Sequence, residues 1–478
     1  MANIKSILES KSDFHILETA MKLSERLNYK VYIVGGYIRD IFIKKSKESD
    51  IDLMVVGDGI EFAKDLNNIL YGSKLVIFNR FGTARFVVQN KTIEVSSARS
   101  EKYDSFSRNP LIKNSDLEID ISRRDFTINT LSVSLNKSNF GDLFDFYDGI
   151  KDINKGLIRT PLDPDKTFSD DPLRILRAIR FASQLDFKID KRAQLSIKSK
   201  AGRISIVSFE RIVIELYKIL DSKIPSNGLE LLQKLSVMDK ILPEISELYG
   251  MEQPKEWHHK DVFYHTLKVV DNIAKQTDKT ILRFAALLHD IGKPKTRRLD
   301  KIKGWSFHGH DAVGAQMINT IAKRLKLSND VKEYLKKLTL FHLRPISLAN
   351  KGVSDSAIRR LMLVAGEEIS DLMILCRADI TSKNPELVKK YLKNFDKVEL
   401  FMNEVKKKDS FRTFQSPIKG NQIMKECQLK EGKVVGQIKK HIEDAILDGI
   451  IDNDYDSSYE YFLKIKNKYI VNKNNETL

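Results

Sequence analysis

The spacing of hydrophobic residues changes part-way along the chain, and the change predicts two kinds of structure. Up to about residue 150, short apolar runs alternate with stretches in which apolar residues recur every three or four positions. The first pattern suits strands and the second suits helices, so we expect an α/β head over residues 1–150. The predicted strands are residues 30–36 and 50–57 and the runs KLVIFN, ARFVVQ and KTIEVSSA; the predicted helices are residues 13–29 and the runs IRDIFIK and GIEFAKDLNNIL.

Residues 98–120 are charged and weakly periodic, and we expect a mobile loop there. Beyond residue 150 the strand signals fade and helical spacing continues. We therefore expect a helical neck over 151–250, a helical domain over 251–400 that carries most of the histidines, and a helical tail over 401–478. The predicted fold class is α+β and multidomain, with the α/β head at the N-terminus.

Charge adds a functional expectation. Lysine and arginine total 81 against 65 aspartate and glutamate, a net charge of +16, and a protein this basic usually contacts a polyanion. Cys376 and Cys427 are the only cysteines, which excludes a disulfide framework and a cysteine-rich zinc module. No apolar run approaches the ~20 residues of a membrane helix, and the N-terminus lacks a secretory pattern. We expect a cytoplasmic enzyme with no membrane partner, and its oligomeric state stays open.

Two local patterns in the head indicate phosphate and metal chemistry. Gly35 and Gly36 stand between a predicted strand and a predicted helix, where bare backbone N–H groups can approach a phosphate. Asp50 and Asp52 lie two apart on the next strand, so their side chains share one face. Paired carboxylates repel unless a cation lies between them, and Mg²⁺ prefers carboxylate and phosphate oxygens. Glu94 on a neighbouring strand could add a third carboxylate. A plain turn and a solvated edge strand remain the alternatives.

These residues also carry a family resemblance. VGGYIRD followed by DIDLMVVG resembles the signature of nucleotidyltransferases built on the polymerase-β palm. Four later segments, in the same order, are similar to motifs of the class II tRNA nucleotidyltransferase/poly(A) polymerase family. They are RRDFTINTLSV (123–133), DLFDFYDGIKDINKGLIRT (142–160), DDPLRILRAIRFASQLDF (170–187) and SFERIVIEL (208–216). The resemblance covers about residues 25–240 and implies a polymerase-β-like head.

The resemblance implies a role for each matching residue. Asp50 and Asp52 would hold two Mg²⁺ ions with Glu94 as the third ligand, and one ion would activate the RNA 3′-hydroxyl while the other orients the triphosphate. The nucleotide-binding positions would be Gly35, Gly36 and Arg39 for the triphosphate, Arg124 and Asp125 for the incoming nucleotide, Asp170, Asp171 and Arg174 for the base, and Arg177 and Arg180 nearby. Asp170 departs from the family, in which many members have Glu.

The base-reading expectation also has a chemical argument. Asp171 and Arg174 are predicted to lie on one helix, where their i,i+3 spacing makes them neighbours. A carboxylate accepts from an exocyclic amine and a guanidinium donates to ring acceptors, which suits cytosine and adenine. Surface salt bridges are the alternative interpretation.

Histidines and aspartates recur on the predicted helices of the middle region. RFAALLHDIGKP places His289 and Asp290 at the end of an apolar helix, where an ionisable pair needs partners or a cation. With YHTLKVV and CRADITS, this stretch resembles the HD superfamily of metal-dependent phosphohydrolases. FHGHDAVGA and FHLRP look like the variant with extra histidine ligands. The implied metal ligands are His265, His289, Asp290, His310, His342 and Asp379, with His308 as a substitute for His310.

Imidazole with carboxylate suits a transition metal such as Mn, Ni, Co or Zn, although Mg²⁺ stays open. The resemblance implies phosphoester hydrolysis, because some bacterial CCA-adding enzymes carry an HD domain associated with 2′,3′-cyclic phosphodiesterase, 2′-nucleotidase and phosphatase activities. A purely structural metal clamp is the alternative.

In the tail, KEGKVVGQIKKHI predicts a glycine turn that leads into a basic helix. The stretch is similar to the C-terminal segment of many CCA-adding enzymes, which implies tRNA binding, and an ordinary helical cap is the alternative. The candidate phosphate contacts are Lys430, Lys433, Lys439 and Lys440.

Together the resemblances imply a CCA tRNA nucleotidyltransferase that adds CMP and AMP from CTP and ATP to tRNA. A CC-adding enzyme, an A-adding enzyme or a poly(A) polymerase of the same fold is the first alternative. An HD phosphohydrolase with an RNA-binding head is the second.

Overall fold

A computed structural model of the chain describes residues 2–44, 50–104, 107–252, 261–300, 304–350, 355–382, 384–408 and 416–470. The chain forms two compact units, Met1–Ser246 and Glu247–Leu478. The boundary between them lies close to the predicted boundary at 250/251. The domain boundaries predicted at 150/151 and 400/401 fall inside these units and remain predictions.

The first unit is built on a mixed sheet of seven strands in the order β3-β4-β5-β2-β1-β8-β9. Strand β1 lies antiparallel to β2 and β8, whereas β2 and β5 run parallel. Four of the five side chains of β1 are buried, which explains its apolar sequence KVYIV. The strands of this sheet are β1 Lys30–Val34, β2 Ile51–Val56, β3 Val76–Phe78, β4 Thr83–Val88, β5 Lys91–Ser97, β8 Ser132–Ser134 and β9 Leu143–Phe144.

Two further strand pairs belong to this unit: β6 Arg99–Asp104 with β7 Ser107–Asn114, and β10 Leu157–Ile158 with β11 Lys188–Ile189. Helices cover the sheet and make up the rest of the unit. They are α1 Lys5–Glu9, α2 Phe14–Leu27, α3 Gly36–Ile43, α4 Gly59–Ile69, α5 Leu117–Ser122, α6 Gly149–Lys155, α7 Pro164–Asp170, α8 Leu173–Leu185, α9 Lys191–Lys200, α10 Phe209–Leu220, α11 Pro225–Lys234, α12 Met238–Ile241 and α13 Pro243–Ser246.

The loop predicted over 98–120 is wrong, because β6, β7 and α5 form there. Ion pairs support this segment in place of an apolar periodicity. Arg99 and Arg123 both donate to Glu101, and buried Asp120 accepts from Arg123 and Arg124. The charged side chains of Arg99, Glu101 and Asp120 therefore make ion pairs that stabilise the folded segment.

Where the structure describes it, the second unit contains helices and one short antiparallel strand pair, β12 Arg298–Asp300 with β13 Gly304–Ser306. Its last part has a core of its own, in which Ile418, Ile438 and Phe462 are fully buried. The helices are α14 Val262–Ala274, α15 Thr280–Leu288, α16 Lys293–Thr296, α17 His310–Leu325, α18 Asn329–Phe341, α19 Arg344–Asn350, α20 Asp355–Ala365, α21 Ile369–Ala378, α22 Pro385–Lys408, α23 Gly420–Cys427, α24 Lys433–Leu447 and α25 Tyr455–Ile470. Among the described residues, no helix has both the length and the apolar character needed to cross a bilayer.

Candidate functional sites

Two adjacent parallel strands of the head present carboxylates side by side. Asp52 on β2 is the register partner of Glu94 on β5, and Asp50 comes just before β2. Asp50 is exposed, and its Oδ1 accepts from the Thr92 backbone at 3.2 Å. Burial is the main cause that raises the pKa of Asp52 to about 6. The charges of Glu94 and Asp50 also raise this pKa, and the charge of Arg124 opposes the increase. A cation beside Asp52 would offset that unfavourable charge, so the residues fit a divalent metal.

Glu94 is already engaged by a neighbouring strand. Arg85, its register partner on β4, donates to Glu94 Oε2 at 2.7 Å through Nη2. Within the described part of the chain, the three head carboxylates do not gather their oxygens within 4.8 Å. The prediction that Glu94 is a metal ligand therefore stays a prediction, and binding would require Glu94 to share an oxygen with Arg85 and the metal.

The turn between β1 and α3 brings bare backbone next to these carboxylates. Gly35 has a φ of +75°, and a Cβ there would lie 3.4 Å from Asp52 Oδ2 and 3.3 Å from Arg124 Nη1. A side chain at this position would thus be strained and would crowd both groups. The turn leaves a space between a carboxylate, a guanidinium and the N-terminus of α3, which suits a phosphate.

This space opens into a cleft of about 410 Å³ in the first unit. Among the predicted nucleotide-binding residues, Gly35, Gly36, Arg39, Arg124, Asp125, Asp171, Arg174, Arg177 and Arg180 line it. The cleft also contains residues that were not predicted, namely Arg123, Asn129, Phe181 and Arg211. All four lie inside the quoted motifs, so their positions were visible in the sequence although their side-chain directions were not.

Asp125 is placed to hold other cleft residues. Its Oδ2 accepts from Arg177 Nε at 2.7 Å, and its Oδ1 accepts from the amide of Asn129, whose own oxygen accepts from Arg39. Burial acts to raise the pKa of Asp125, but the Arg177 charge and the Asn129 hydrogen bond outweigh it and lower the pKa to about 2. Asp125 is therefore a charged positioning group for Arg177.

The argument that Asp171 and Arg174 lie on one helix is wrong. Helix α7 ends at Asp170 and α8 begins at Leu173, and Asp171 between them is extended with φ −134°. The cause is Pro172, since the residue before a proline disfavours the helical conformation. Both side chains still line the cleft, and Arg174 Nη2 donates to the Arg123 carbonyl at 2.7 Å. Asp170 is half-buried at the end of α7 and is not among the cleft residues.

Three guanidinium groups lie close to the aromatic ring of Phe181, which lines the cleft. Arg180 lies 4.1 Å from the ring centroid, and Arg39 and Arg177 lie 5.1 and 5.4 Å away. Arg180 Nε also approaches Glu215 Oε2 to 2.8 Å, without the alignment of a hydrogen bond. Burial, only partly opposed by Glu215, lowers the pKa of Arg180 to about 10. Arg180 is therefore a buried cation whose charge is only partly compensated by Glu215.

The second unit gathers the predicted histidines and aspartates into two groups. In each group, three ligand atoms lie within 4.8 Å of one another, and almost all of the residues are buried. One group is His265, His289 and Asp379, and the other is Asp290, His310 and His342. His289 and Asp290 are chain neighbours, so the groups adjoin. His308 is exposed, and His310 occupies the position in the group.

His289 shows how these groups fit a metal. Its Nδ1 lies 2.7 Å from the Ala286 carbonyl, which fixes the ring. Its buried Nε2 lies 3.2 and 3.3 Å from oxygens of Asp290 and Asp379 but lacks an aligned hydrogen bond. An orphaned imidazole nitrogen between two carboxylates is a metal-ligand arrangement, with the carbonyl as the orienting partner.

The pKa shifts of the histidines in this centre also fit a metal site. Burial disfavours the imidazolium of His289, yet Asp290 and Asp379 raise its pKa to about 10. Burial and the charges of His289 and His310 lower the pKa of His342 to about 4. The two carboxylates thus attract positive charge and His342 stays neutral, so bound divalent cations would satisfy the whole set.

The tail lysines lie on the surface of the C-terminal part of the chain. Lys430, Lys433, Lys439 and Lys440 are all exposed, and Lys433 is the first residue of α24. Their role in RNA binding remains a prediction.

Comparison with known proteins identifies three segments of the chain. Residues 31–159 match the family described as "Poly A polymerase head domain", residues 186–248 match "Probable RNA and SrmB- binding site of polymerase A", and residues 258–384 match "HD domain". A "Multifunctional CCA protein" of Shewanella frigidimarina is 32% identical over 316 residues, which cover 64% of this chain and 71% of that protein. The chain belongs to the multifunctional CCA protein family.

A second family member, from Psychromonas ingrahamii, is 29% identical over 73% of this chain and 84% of its own length. The fold agrees as well. The Thermotoga maritima CCA-adding enzyme complexed with tRNA has a TM-score of 0.61 at 20% identity and covers 97% of this chain and 99% of its own. The Bacillus stearothermophilus CCA-adding enzyme in complex with CTP has a TM-score of 0.65 at 19% identity and covers 97% and 100%. The predicted family and fold class are confirmed.

Proposed function

We propose that this chain is a tRNA nucleotidyltransferase that adds CMP and AMP, from CTP and ATP, to complete the CCA end of tRNA. The observation that carries the proposal is the position of Gly35 next to Asp52 and Arg124, where a Cβ would crowd both side chains, in a cleft lined by arginines. Membership in the multifunctional CCA protein family supports the substrate assignment.

The cleft residues divide the work of nucleotide binding. The bare backbone at Gly35 and Gly36 and the guanidinium of Arg124 would hold the triphosphate. Asp171 and Arg174 would accept from and donate to the base, while Asp125 keeps Arg177 in place. Asp50 and Asp52, with Glu94, would hold Mg²⁺, which when bound activates the RNA 3′-hydroxyl and neutralises the phosphates.

Three synthetic tRNAs test the activity, ending before the first C, before the second C and before the terminal A. Each is incubated with CTP alone, ATP alone or both. Ordered addition of C, C and A followed by a stop is the expected result. Addition of A to the third tRNA alone, or addition that ends after CC, would make the chain a partial CCA enzyme. Unlimited A tails would indicate a poly(A) polymerase, and no incorporation would contradict the proposal.

We also propose that the histidine centre of the second unit hydrolyses phosphoesters. The adjoining groups around His289 and Asp290 favour this second function, because each brings three ligand atoms together. Mn, Ni, Co or Zn suits this donor set, and the bound metal would supply activated water. Release of a nucleoside monophosphate from a 2′,3′-cyclic nucleotide with Mn²⁺ or Ni²⁺ tests it. No turnover with any metal, although metal is bound, would leave a structural clamp.

tRNA is the macromolecular partner in this proposal. The four tail lysines would contact its backbone, which predicts that replacing Lys439 and Lys440 with Ala weakens tRNA binding and reduces its salt dependence. Filter binding at several salt concentrations measures both effects.

A further inference from the structure

The segment between His289-Asp290 and His310 leaves the histidine centre and returns to it. A Cβ at Gly292 would lie 2.1 Å from the His310 carbonyl oxygen, so the two ends of the segment are in close contact at the ligand residues. Between these ends lie the short helix α16 and the strand pair β12–β13. Residues within this segment are therefore connected at both ends to proposed metal ligands, Asp290 and His310.

The segment begins with a dense run of positive charge. Lys293, Lys295, Arg297 and Arg298 fall within six residues that contain no acidic residue. Lys293 Nζ lies 2.5 Å from Asp290 Oδ2, which connects the run directly to the centre. Helix α16 has four residues, and at 1.5 Å per residue it places the Arg297 backbone about 6 Å further along.

The side chain of Arg297 packs against an aromatic ring but lacks hydrogen-bond and ion-pair partners among the described residues. Its guanidinium carbon lies 3.7 Å from the centre of the Trp305 ring. Its Nε is enclosed and has no hydrogen-bond partner among the described residues, and no ion pair of this side chain is found there either. A guanidinium over an aromatic ring keeps its N–H donors pointing outward in its own plane. Packing against Trp305 thus fixes the group, while its Nη donors have no ion-pair partner among the described residues.

We propose that Arg297, oriented by Trp305, binds the terminal phosphate of the substrate of the histidine centre. A fixed, planar guanidinium matches the oxygens of a phosphate through two parallel N–H···O bonds. The substrate class is a nucleoside or RNA end that carries a 2′,3′-cyclic phosphate or a phosphate monoester. Trp305 is a positioning residue in this arrangement. The inference rests on the second proposed function but not on CCA addition.

The strand pair provides a matched control. Arg298 is adjacent to Arg297, carries the same charge and is exposed on β12. Replacing Arg297 with Gln removes the proposed contact, whereas Arg298→Gln removes the same charge beside it. A long-range electrostatic effect would appear in both variants, and a direct contact would appear in only one.

Binding is measured first, in the full-length chain loaded with Mn²⁺. The chain has two tryptophans, Trp257 and Trp305, so in a Trp257→Phe background the emission comes from Trp305 alone. Titration with inorganic phosphate and with 2′,3′-cyclic CMP should change this emission saturably. Arg297→Gln should weaken the response by about 10-fold to 100-fold, as expected for a charge-assisted hydrogen bond, and Arg298→Gln by less than about threefold. Equal effects of the two variants, or no response to either ligand, would overturn the proposal.

Steady-state hydrolysis then separates a contact from a packing role. We expect Arg297→Gln to raise KM by about the same factor for 2′,3′-cyclic CMP and for base-free glycerol cyclic phosphate. In the native Trp257 background, Trp305→Phe should retain most of the affinity and Trp305→Ala should lose it, with thermal unfolding checked for each. An increase in KM confined to the base-bearing substrate would show that Arg297 contacts the base, which contradicts the assignment. An oligonucleotide ending in a 2′,3′-cyclic phosphate, compared with the mononucleotide, distinguishes an RNA end from a free nucleotide.

Discussion

The head cleft and the histidine centre use charge in different ways. Seven arginines and three aspartates line the cleft, so positive charge exceeds negative there by four. The histidine centre instead pairs one buried and one half-buried aspartate with four histidines, whose nitrogens face the carboxylates. The excess positive charge of the cleft suits a polyanionic ligand, whereas the carboxylates and imidazole nitrogens of the histidine centre suit a cation. The proposed nucleotide cleft and the proposed metal centre therefore have opposite distributions of charge.

The largest expected effect is the loss of nucleotide addition in a variant that keeps phosphoester hydrolysis. Asp52→Ala removes the carboxylate whose pKa is raised by burial beside Glu94 and Asp50. We expect nucleotide addition to fall by at least about 10³-fold, because the cation would lose its innermost ligand. Incorporation of radiolabelled CMP measures the fall.

Asp65→Ala is the control for this change, since Asp65 pairs with Arg26 on the surface of the same unit. It should leave addition within about twofold of the parent protein. Loss of phosphoester hydrolysis in Asp52→Ala would break the comparison, because the sites would then not be independent.

The second prediction tests the histidine centre. His289→Ala removes the orphaned Nε2 between Asp290 and Asp379, and we expect metal affinity there to fall by at least about 100-fold. Metal content per chain after dialysis measures the loss, and nucleotide addition should persist.

His15 is exposed on α2 and supplies the matched His→Ala control. If His289→Ala keeps its full metal content, the centre is not a metal site.

The smallest predicted effect sharpens the comparison inside the head. Asp125→Asn keeps the shape but removes the charge that holds Arg177, so we expect KM for CTP and ATP to rise by about tenfold. Addition kinetics measure the rise. An unchanged KM would mean that Arg177 keeps its place without the ion pair. The pKa of Asp125 of about 2 also predicts no titration of this contact between pH 5 and 9.

The sequence predicted the parts of the site that depend on local order. Asp52 on a strand, Gly35 at a turn and the His289-Asp290 pair at a helix end were all expected, and the structure has them there. One error lies where distant residues decide. The charged segment 98–120 folds because Glu101 and Asp120 meet arginines, and no local periodicity reports such contacts.

One error could have been avoided from the sequence. Pro172 directly follows Asp171, and that dipeptide predicts a break between helices. The Arg85–Glu94 pair could not have been predicted, because it depends on the register between β4 and β5.

That register also affects how the gene for such a protein can change. Changes in the length of the connection between Val56, where β2 ends, and Lys91, where β5 begins, would not move Glu94 relative to Asp52, provided that the ladder between β2 and β5 is kept. A single insertion inside β5 itself would turn the Glu94 side chain to the opposite face of the sheet. Insertions and deletions should therefore be tolerated in the β3–β4 turn and rejected within β5.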